Sequence, residues 1–430
     1  MSIILGCIAD DLTGATDLAM ILVREGMKTV QVVGEPNADT PAPNAEAVVV
    51  ALKSRTNNAQ EAISMTISSC KWLQSHGAKQ IFFKYCSTFD STDQGNIGPV
   101  TDALMKHLEC ASTIACPAFP ENGRTVYHGY LFVNHGLLSE SSLRNHPLTP
   151  MRDSNIKRIL SAQSSSKVSN LYFEQIEKGH EVIAQAVAEK ETGQPIIHIT
   201  DALNDNHLRS IGKACKDMKL VTGGSAVAQG LPLNFEEQGL LRSRTKAQSF
   251  FAPVGASVIL SGSCSEATRS QVSYAQNHIP SYCLDAVAIL KGEPVANEAI
   301  NWATKYIDTA TPVLLYSSAD PSVVEQIQNN QNQIDVGSRV EAVIGEIAQK
   351  LHALGANRFV VAGGETSGAV INALAVKTMS IGPQIDPGVP WTSTIINEKP
   401  IALALKSGNF GTDDFFIKAL NQLTQYEITK

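Results

Sequence analysis

Asp10 and Asp11 follow directly on an apolar run, Ile3 to Ala9, and precede Leu12-Thr13-Gly14-Ala15. Two adjacent carboxylates at a strand tip can hold a hydroxyl, take its proton or bind Mg²⁺. The competing reading is structural, with Asp11 or Thr13 capping the helix that the pattern predicts from about Ala15 to Glu25. A different chemistry is suggested near the other end, where Phe359-Val360-Val361-Ala362 runs into Gly363-Gly364-Glu365-Thr366-Ser367-Gly368. Glycines let an anion approach the backbone, and the first N–H groups of the following helix point at it. The spacing is neither a Walker A loop nor G-x-G-x-x-G.

Two further loops in that half repeat the device: Ser261-Gly262-Ser263-Cys264-Ser265 and Lys406-Ser407-Gly408-Asn409-Phe410-Gly411. Three glycine- and serine-rich strand tips on one sheet edge suit a nucleotide triphosphate. Taken singly, the Ser263 loop could be an ordinary helix cap, and Lys406 either a phosphate partner or a solvated lysine.

The first half offers a mixed polar set at its strand tips. Lys53, Ser54 and Arg55 end one predicted strand; Lys84, Ser87, Thr88 and Asp90 end another; Asn122 and Arg124 follow a third. Arg or Lys would take the carboxylate of a small polyhydroxylated acid, while Asp and Asn take its hydroxyls. Arg55 and Lys84 could equally be surface charges, Asp90 the cap of a turn, and His146 a loop residue. The Val221-Thr222-Gly223-Gly224-Ser225 turn reads more readily as packing.

The elements that must position these residues alternate. Apolar strands are predicted at Thr29 to Val33, Ala45 to Leu52, Gln80 to Lys84, Thr113 to Ala118, Pro195 to Thr200 and Lys219 to Thr222, with helical spacing between them. Glu121 to Ser166 is expected to be long and irregular. A polar stretch, Asn234 to Ser249, separates this series from a second one. There, strands are predicted at Ala256 to Leu260, Thr311 to Tyr316, Arg358 to Ala362 and Ile401 to Lys406. The expectation is an α/β chain of two domains, residues 1–240 and 250–430, each with a mainly parallel sheet flanked by helices and the active site in the interdomain cleft.

A length of 430 residues is too great for one ordinary core. The net charge of −7, without any basic block, argues against nucleic acid or an anionic membrane surface as partner. Eight cysteines, none in a C-x-x-C pair, point away from zinc and fit a reducing cytoplasm. The start has no signal-peptide pattern, and no apolar run approaches the roughly 20 residues that span a bilayer. Acceptor groups in one half and phosphate loops in the other read together as a phosphotransferase, whose closure would exclude water. A dinucleotide-dependent dehydrogenase would need the missing G-x-G-x-x-G with its later acidic residue. A sugar-acid sensor would not need three phosphate-type loops.

Ala9-Asp10-Asp11-Leu12-Thr13-Gly14-Ala15, together with Gly363 to Gly368, resembles the four-carbon acid sugar kinase family. The stretches Lys84 to Thr92, Gly95-Asn96-Ile97-Gly98-Pro99, Gly123-Arg124 and Asn145 to Met151 look like its 3-oxo-tetronate kinase branch. The match runs over essentially the whole chain. It implies transfer of phosphate from ATP to the terminal O4 hydroxyl of a four-carbon sugar acid, in acid sugar catabolism, with Mg²⁺ bridging the phosphates. It also implies acid-sugar binding by the first domain, where the strand-tip residues Lys53, Arg55, Lys84, Ser87, Asp90, Asn122 and Arg124 are the candidates. ATP contacts would fall on Ser261, Ser263, Gly363, Gly364, Glu365, Thr366 and Gly408. Asp10 and Asp11 are the candidates for proton transfer, and no metal ligand is assigned. One departure matters: Gln94 stands where many family members carry arginine, which argues against threonate or erythronate as substrate. The expected partners are the sugar acid and ATP, with neither nucleic acid nor membrane, and a homodimer is one assembly open to it.

Overall fold

The structure is a computed structural model that describes residues 3–146, 149–188, 194–241, 250, 252–317 and 336–426. The 242–249 part of the polar boundary stretch, and Pro147 and Leu148 of the Asn145 to Met151 motif, lie outside these. The chain divides into two compact units, Met1–Gln248 and Ser249–Lys430.

In the first unit the strands of the main sheet are β1 (Leu5–Ala9), β2 (Thr29–Val33), β3 (Ala47–Ala51), β4 (Gln80–Lys84) and β5 (Ser112–Cys116). After β6 (Arg124–Tyr127), β7 (Tyr130–Val133) and β8 (Gly136–Leu137), which form a sheet of their own, come β9 (Lys167–Leu171), β10 (Ile196–Thr200) and β11 (Leu220–Gly223). The main sheet has the order β2-β3-β1-β4-β11-β5-β10-β9 and is parallel throughout. Strands β1, β3 and β4 are buried along their whole length. That is why they read as continuous apolar runs rather than alternating ones: helices cover both faces of a parallel sheet.

The second unit contains β12 (Ala256–Ser261), β13 (Ser281–Cys283), β14 (Val313–Tyr316), β15 (Ala356–Ala362), β16 (Thr378–Asp386), β17 (Val389–Ile396) and β18 (Lys399–Lys406), in the order β13-β14-β12-β15-β18-β17-β16. Strands β13, β14, β12, β15 and β18 are parallel, while β17 pairs antiparallel with both neighbours. Trp391, Phe415 and Phe416 anchor its core. The expected α/β class, with a mainly parallel sheet flanked by helices in each part, is borne out.

Two of the differences from the expectation share one reason. The Glu121 to Ser166 segment is not irregular. It carries the β6-β7-β8 sheet and the helix Ile156–Gln163. Tyr127 pairs with Tyr130, so His128 and Gly129 form a two-residue hairpin turn with φ of 49° and 75°. Asn397 and Glu398 do the same between β17 and β18, at 47° and 64°. Such turns favour Asn-Gly or Asp-Gly, and His-Gly and Asn-Glu give a weaker signal. The His-Gly turn is held from outside: buried Asp201 accepts from the backbone N–H of His128 (2.7 Å) and Gly129 (2.9 Å). Among the described residues no helix is long and apolar enough to cross a membrane.

Candidate active site

Ala9, the last residue of β1, is level with Ala51 of β3 on one side and Lys84 of β4 on the other, and Lys84 is level with Gly223 of β11. The residues just beyond these tips therefore share one edge. Strand β1 is also where the order reverses, with β2 and β3 to one side and β4 to the other. Ligands of open parallel sheets bind at such a switch point.

Asp10 and Asp11 meet Arg55 there. Arg55 grips Asp10 with two nitrogens, at 2.9 and 2.8 Å, and reaches Asp11 Oδ1 at 2.6 Å. Its loop is tied to the same point by backbone, since the N–H groups of Ser54 and Arg55 both donate to the Asp10 carbonyl. Asn96 clamps the loop from below, donating to the carbonyls of Ser54 (2.8 Å), Arg55 (3.3 Å) and Asn57 (3.0 Å). Arg55 also lies 3.6 Å from Asp90. The turn carrying Asp90 places Phe89 and Asp90 at φ of 65° and 36°. Consecutive non-glycine residues in the left-handed region cost free energy and collect at functional sites. Lys84 is buried and reaches Asp11 at 3.4 Å.

Asp11 is also the N-cap of the helix Leu12–Arg24, accepting from the Gly14 N–H at 3.2 Å and the Thr13 hydroxyl at 2.7 Å. Both readings of this residue are thus realised in one side chain. The electrostatic result is asymmetric. Burial pushes the Asp11 carboxyl up, but Arg55, Lys84, Thr13 and Gly14 together outweigh it and hold it well below the usual range. For Asp10, burial wins over Arg55 and its proton affinity is raised. Burial would lower the ammonium of Lys84, but Asp11 and Asp10 reverse the sign and raise it.

In the second unit Ser261, Ala362 and Lys406 end β12, β15 and β18 level with one another. The loops that follow pack backbone against side chain. A Cβ added to Gly262 would stand 2.5 Å from Thr366 Oγ1, and one on Gly408 would stand 2.7 Å from Ser263 Oγ. Gly363 has φ of 121° and is the N-cap of the helix Gly364–Ala373, yet no side chain caps that first turn. Gly364 and Glu365 there are exposed. Uncapped N–H groups at an open helix start, among close-packed glycines, can take a phosphate. Ser265 caps the helix Glu266–Gln276 and its hydroxyl donates to the Gly408 carbonyl at 2.6 Å.

The expected residues therefore separate as follows. Asp10, Asp11, Arg55, Lys84 and Asp90 form one contact cluster. Arg124 stands near it, its charge felt by Cys86 and Asp90, and it donates to the Asn122 carbonyl. Ser87 is buried in the Asp90 turn, and Lys53 is exposed beside Ser54. In the other unit, Ser261, Ser263, Gly363, Gly364, Glu365, Thr366 and Gly408 occupy the three converging loops.

Sequence reasoning overlooked three residues. Asp17 lies buried on the helix Leu12–Arg24, accepts from the Ser225 hydroxyl and leaves Oδ1 without a partner. Burial, against the opposing charge of Lys84 and the Ser225 hydroxyl, pushes its carboxyl up to about 7. Gly14 is the second: a Cβ there would stand 1.7 Å from Lys84 Nζ. Asn96 is the third, and its one signal was the Gly95-Asn96 pair.

Residues 5–231 match the family model of a sugar-binding N-terminal domain, and residues 258–416 that of a nucleotide-binding C-terminal domain. A 3-oxo-tetronate kinase of Burkholderia multivorans is 50% identical over 98% of this chain and 97% of its own length. One from Pseudomonas savastanoi is 49% identical over 98% and 97%. A crystal structure from Salmonella typhimurium LT2, described provisionally as a tRNA synthase, superposes with a TM-score of 0.84 at 39% identity, covering 97% of this chain and 99% of that one. A Haemophilus influenzae protein assigned to DUF1537 gives 0.75 at 39% identity, over 97% and 100%.

Proposed function

The chain belongs to the four-carbon acid sugar kinase family, in its 3-oxo-tetronate kinase branch, and within this family of phosphotransferases acting on an alcohol we propose that it transfers the γ-phosphate of ATP to O4 of a 3-oxo-tetronate. The observation that carries the acceptor side is the Asp10–Arg55–Asp11–Lys84 cluster at the switch point of the first sheet. Two cations and two carboxylates, ion-paired with each other, match an acid that also carries hydroxyls. The substrate carboxylate would compete for Arg55, with Lys84, Arg124 and Lys53 adding positive charge, while Asp90, Ser87 and Asn122 would take hydroxyls.

As Arg55 turns to the substrate, its fork loosens from Asp10. Asp11, the more exposed of the two at 22% of its side chain against 5%, would orient the O4 hydroxyl. Asp10, whose proton affinity is raised, would take the proton. Phosphoryl transfer asks mainly for positioning and charge neutralisation. The donor would lie on the three loops of the second unit, with backbone N–H groups at Gly364 and Glu365 and the hydroxyls of Ser261, Ser263 and Thr366 on phosphate oxygens. Mg²⁺ is typically held by substrate phosphates with one or two carboxylates. Exposed Glu365, in the first turn beside those loops, is the carboxylate that fits. When bound, the ion neutralises charge on the phosphates. Eight free thiols fit a cytoplasmic setting.

A coupled ADP-release assay across four-carbon acids tests the reading. Turnover is expected with a 3-oxo-tetronate and at most weak turnover with threonate or erythronate. Strong activity on threonate with none on any 3-oxo-tetronate overturns the branch-level assignment.

A further inference from the structure

Lys406 ends β18 and is fully buried. Its Nζ meets three groups: Thr268 Oγ1 at 3.0 Å, the Ser407 carbonyl at 3.0 Å and the Gly408 carbonyl at 2.9 Å. Thr268 Oγ1 donates its own hydrogen to the Gly408 carbonyl, at 2.9 Å, so toward Nζ it can only accept. Two carbonyls and this hydroxyl make three acceptors. An ammonium has three N–H donors and a neutral amine two, so the geometry fits the charged form. Among the described residues no carboxylate pairs with it. The elements packed against it bring few charges: none on β17, Arg358 on β15, Glu266 and Arg269 on the helix Glu266–Gln276, and Glu365 on the helix Gly364–Ala373. None of these bonds Nζ. The Ser265 hydroxyl joins Lys406 and Thr268 on the Gly408 carbonyl, so three side chains hold that one peptide oxygen. A positive charge without a counter-ion thus lies directly beneath a glycine turn packed against Ser263.

We infer that Lys406 is a positioning residue for the nucleotide's phosphates: it holds the Ser407-Gly408 turn in shape and supplies the buried positive charge beneath it, so that phosphate binding and protonation of this lysine are coupled. The inference rests on the reading of this half as the nucleotide site. Burial without a counter-ion pushes the Lys406 ammonium down to about 7. An anion above the turn raises it again, toward the ordinary value. Binding therefore takes up a proton. The affinity for phosphate-bearing ligands is level below about pH 7 and declines as pH rises above it, because more of the free protein must first be protonated.

Calorimetric titration of the full chain with ADP, at pH 6, 7 and 8 in buffers of differing ionisation heat, tests this. At pH 8 ADP is itself fully ionised, since the second phosphate pKa is about 6. Uptake approaching one proton is expected there, with affinity about fivefold weaker than at pH 7. Adenosine, lacking phosphate, takes up none. Lys406→Met abolishes the uptake and flattens the profile, whereas Lys406→Arg, always charged, binds ADP without pH dependence. ADP binding to the unsubstituted chain without proton uptake at pH 8 overturns the inference, whether or not the variants fold. So does a folded Lys406→Met variant that takes up the same proton. No ADP binding even at pH 6, where Lys406 is charged, overturns instead the nucleotide reading on which it rests.

Discussion

Arg55 holds Asp10 with a two-nitrogen fork and Asp11 with one of the same nitrogens, yet the proton affinities of the two carboxylates are shifted in opposite directions. The difference lies in the remaining donors. Asp11 collects hydrogen bonds from Thr13, Gly14 and Lys84 as well, while Asp10 has Arg55 as its side-chain donor and the charges of Asp11 and Lys84 act on it with opposite signs. Asp10→Asn is expected to lower kcat by about 10²–10⁴ and leave ADP affinity unchanged, since it removes a base and touches no phosphate. With the base intact, kcat should fall on acidification at a pH above the ordinary carboxylate range, because the Asp10 pKa is raised. Asp11→Asn keeps a good helix cap but removes the carboxylate that pairs with Arg55 and buried Lys84, so its loss of kcat should come with a lower Tm at neutral pH. Losses under tenfold for both variants, measured by steady-state kinetics, reject the roles assigned here. Asp17 gives a prediction on stability. Its folded pKa, about 7, lies above the unfolded value near 3.8. Its contribution is therefore fully present below about pH 4 and is lost as pH rises through 7. Asp17→Asn should raise Tm by a few degrees at pH 8, about 2–4 °C for each kcal/mol, and change it little at pH 4. An equal shift at both pH values would contradict the buried charge.

The helix Leu12–Arg24 and strand β4 meet at Gly14, and the fit is close enough that no side chain is tolerated. A methyl there would overlap Lys84 Nζ, at 1.7 Å, and Asp11 Oδ1, at 2.3 Å. Alanine is the better helix former by roughly 1 kcal/mol. The overlap outweighs that gain, so Gly14→Ala should lower Tm and also lower kcat/KM at least tenfold, as Lys84 and Asp11 are driven from their places. Full activity in that variant would show that the ammonium is not needed where it lies. The tips of β1, β3 and β4 were legible because buried parallel strands are unbroken apolar runs that stop at the first polar residue: Asp10, Lys53 and Lys84 each lie within two residues of a strand end. Antiparallel β16 and β17 were missed. Pro383 interrupts the first and Pro390 opens the second, and proline argues against a strand by sequence alone.

Over the whole molecule, the two units carry different chemistry, and lesions should sort by unit. Arg55→Met is expected to raise KM for the sugar acid at least tenfold and leave ADP affinity within twofold. Gly363→Val should do the reverse, because a Cβ at φ 121° is strained and would stand 2.7 Å from Thr366. Calorimetry with each ligand distinguishes the two; loss of both ligands from a folded single variant would contradict the division. The amino-acid sequence by itself determined the α/β class, the two series of strands and the residue types at their tips, because strand burial and turn chemistry are local and periodic. It also placed carboxylates beside cations in the first series and glycine turns in the second. What only the tertiary structure decided is charge state. Whether the proton affinity of Asp10 is raised, that of Asp11 lowered, Asp17 titrates near neutrality or Lys406 loses its ordinary basicity depends on partners contributed from distant strands and on how completely water is removed. Neither the partners nor the desolvation can be read from a residue's neighbours in the chain.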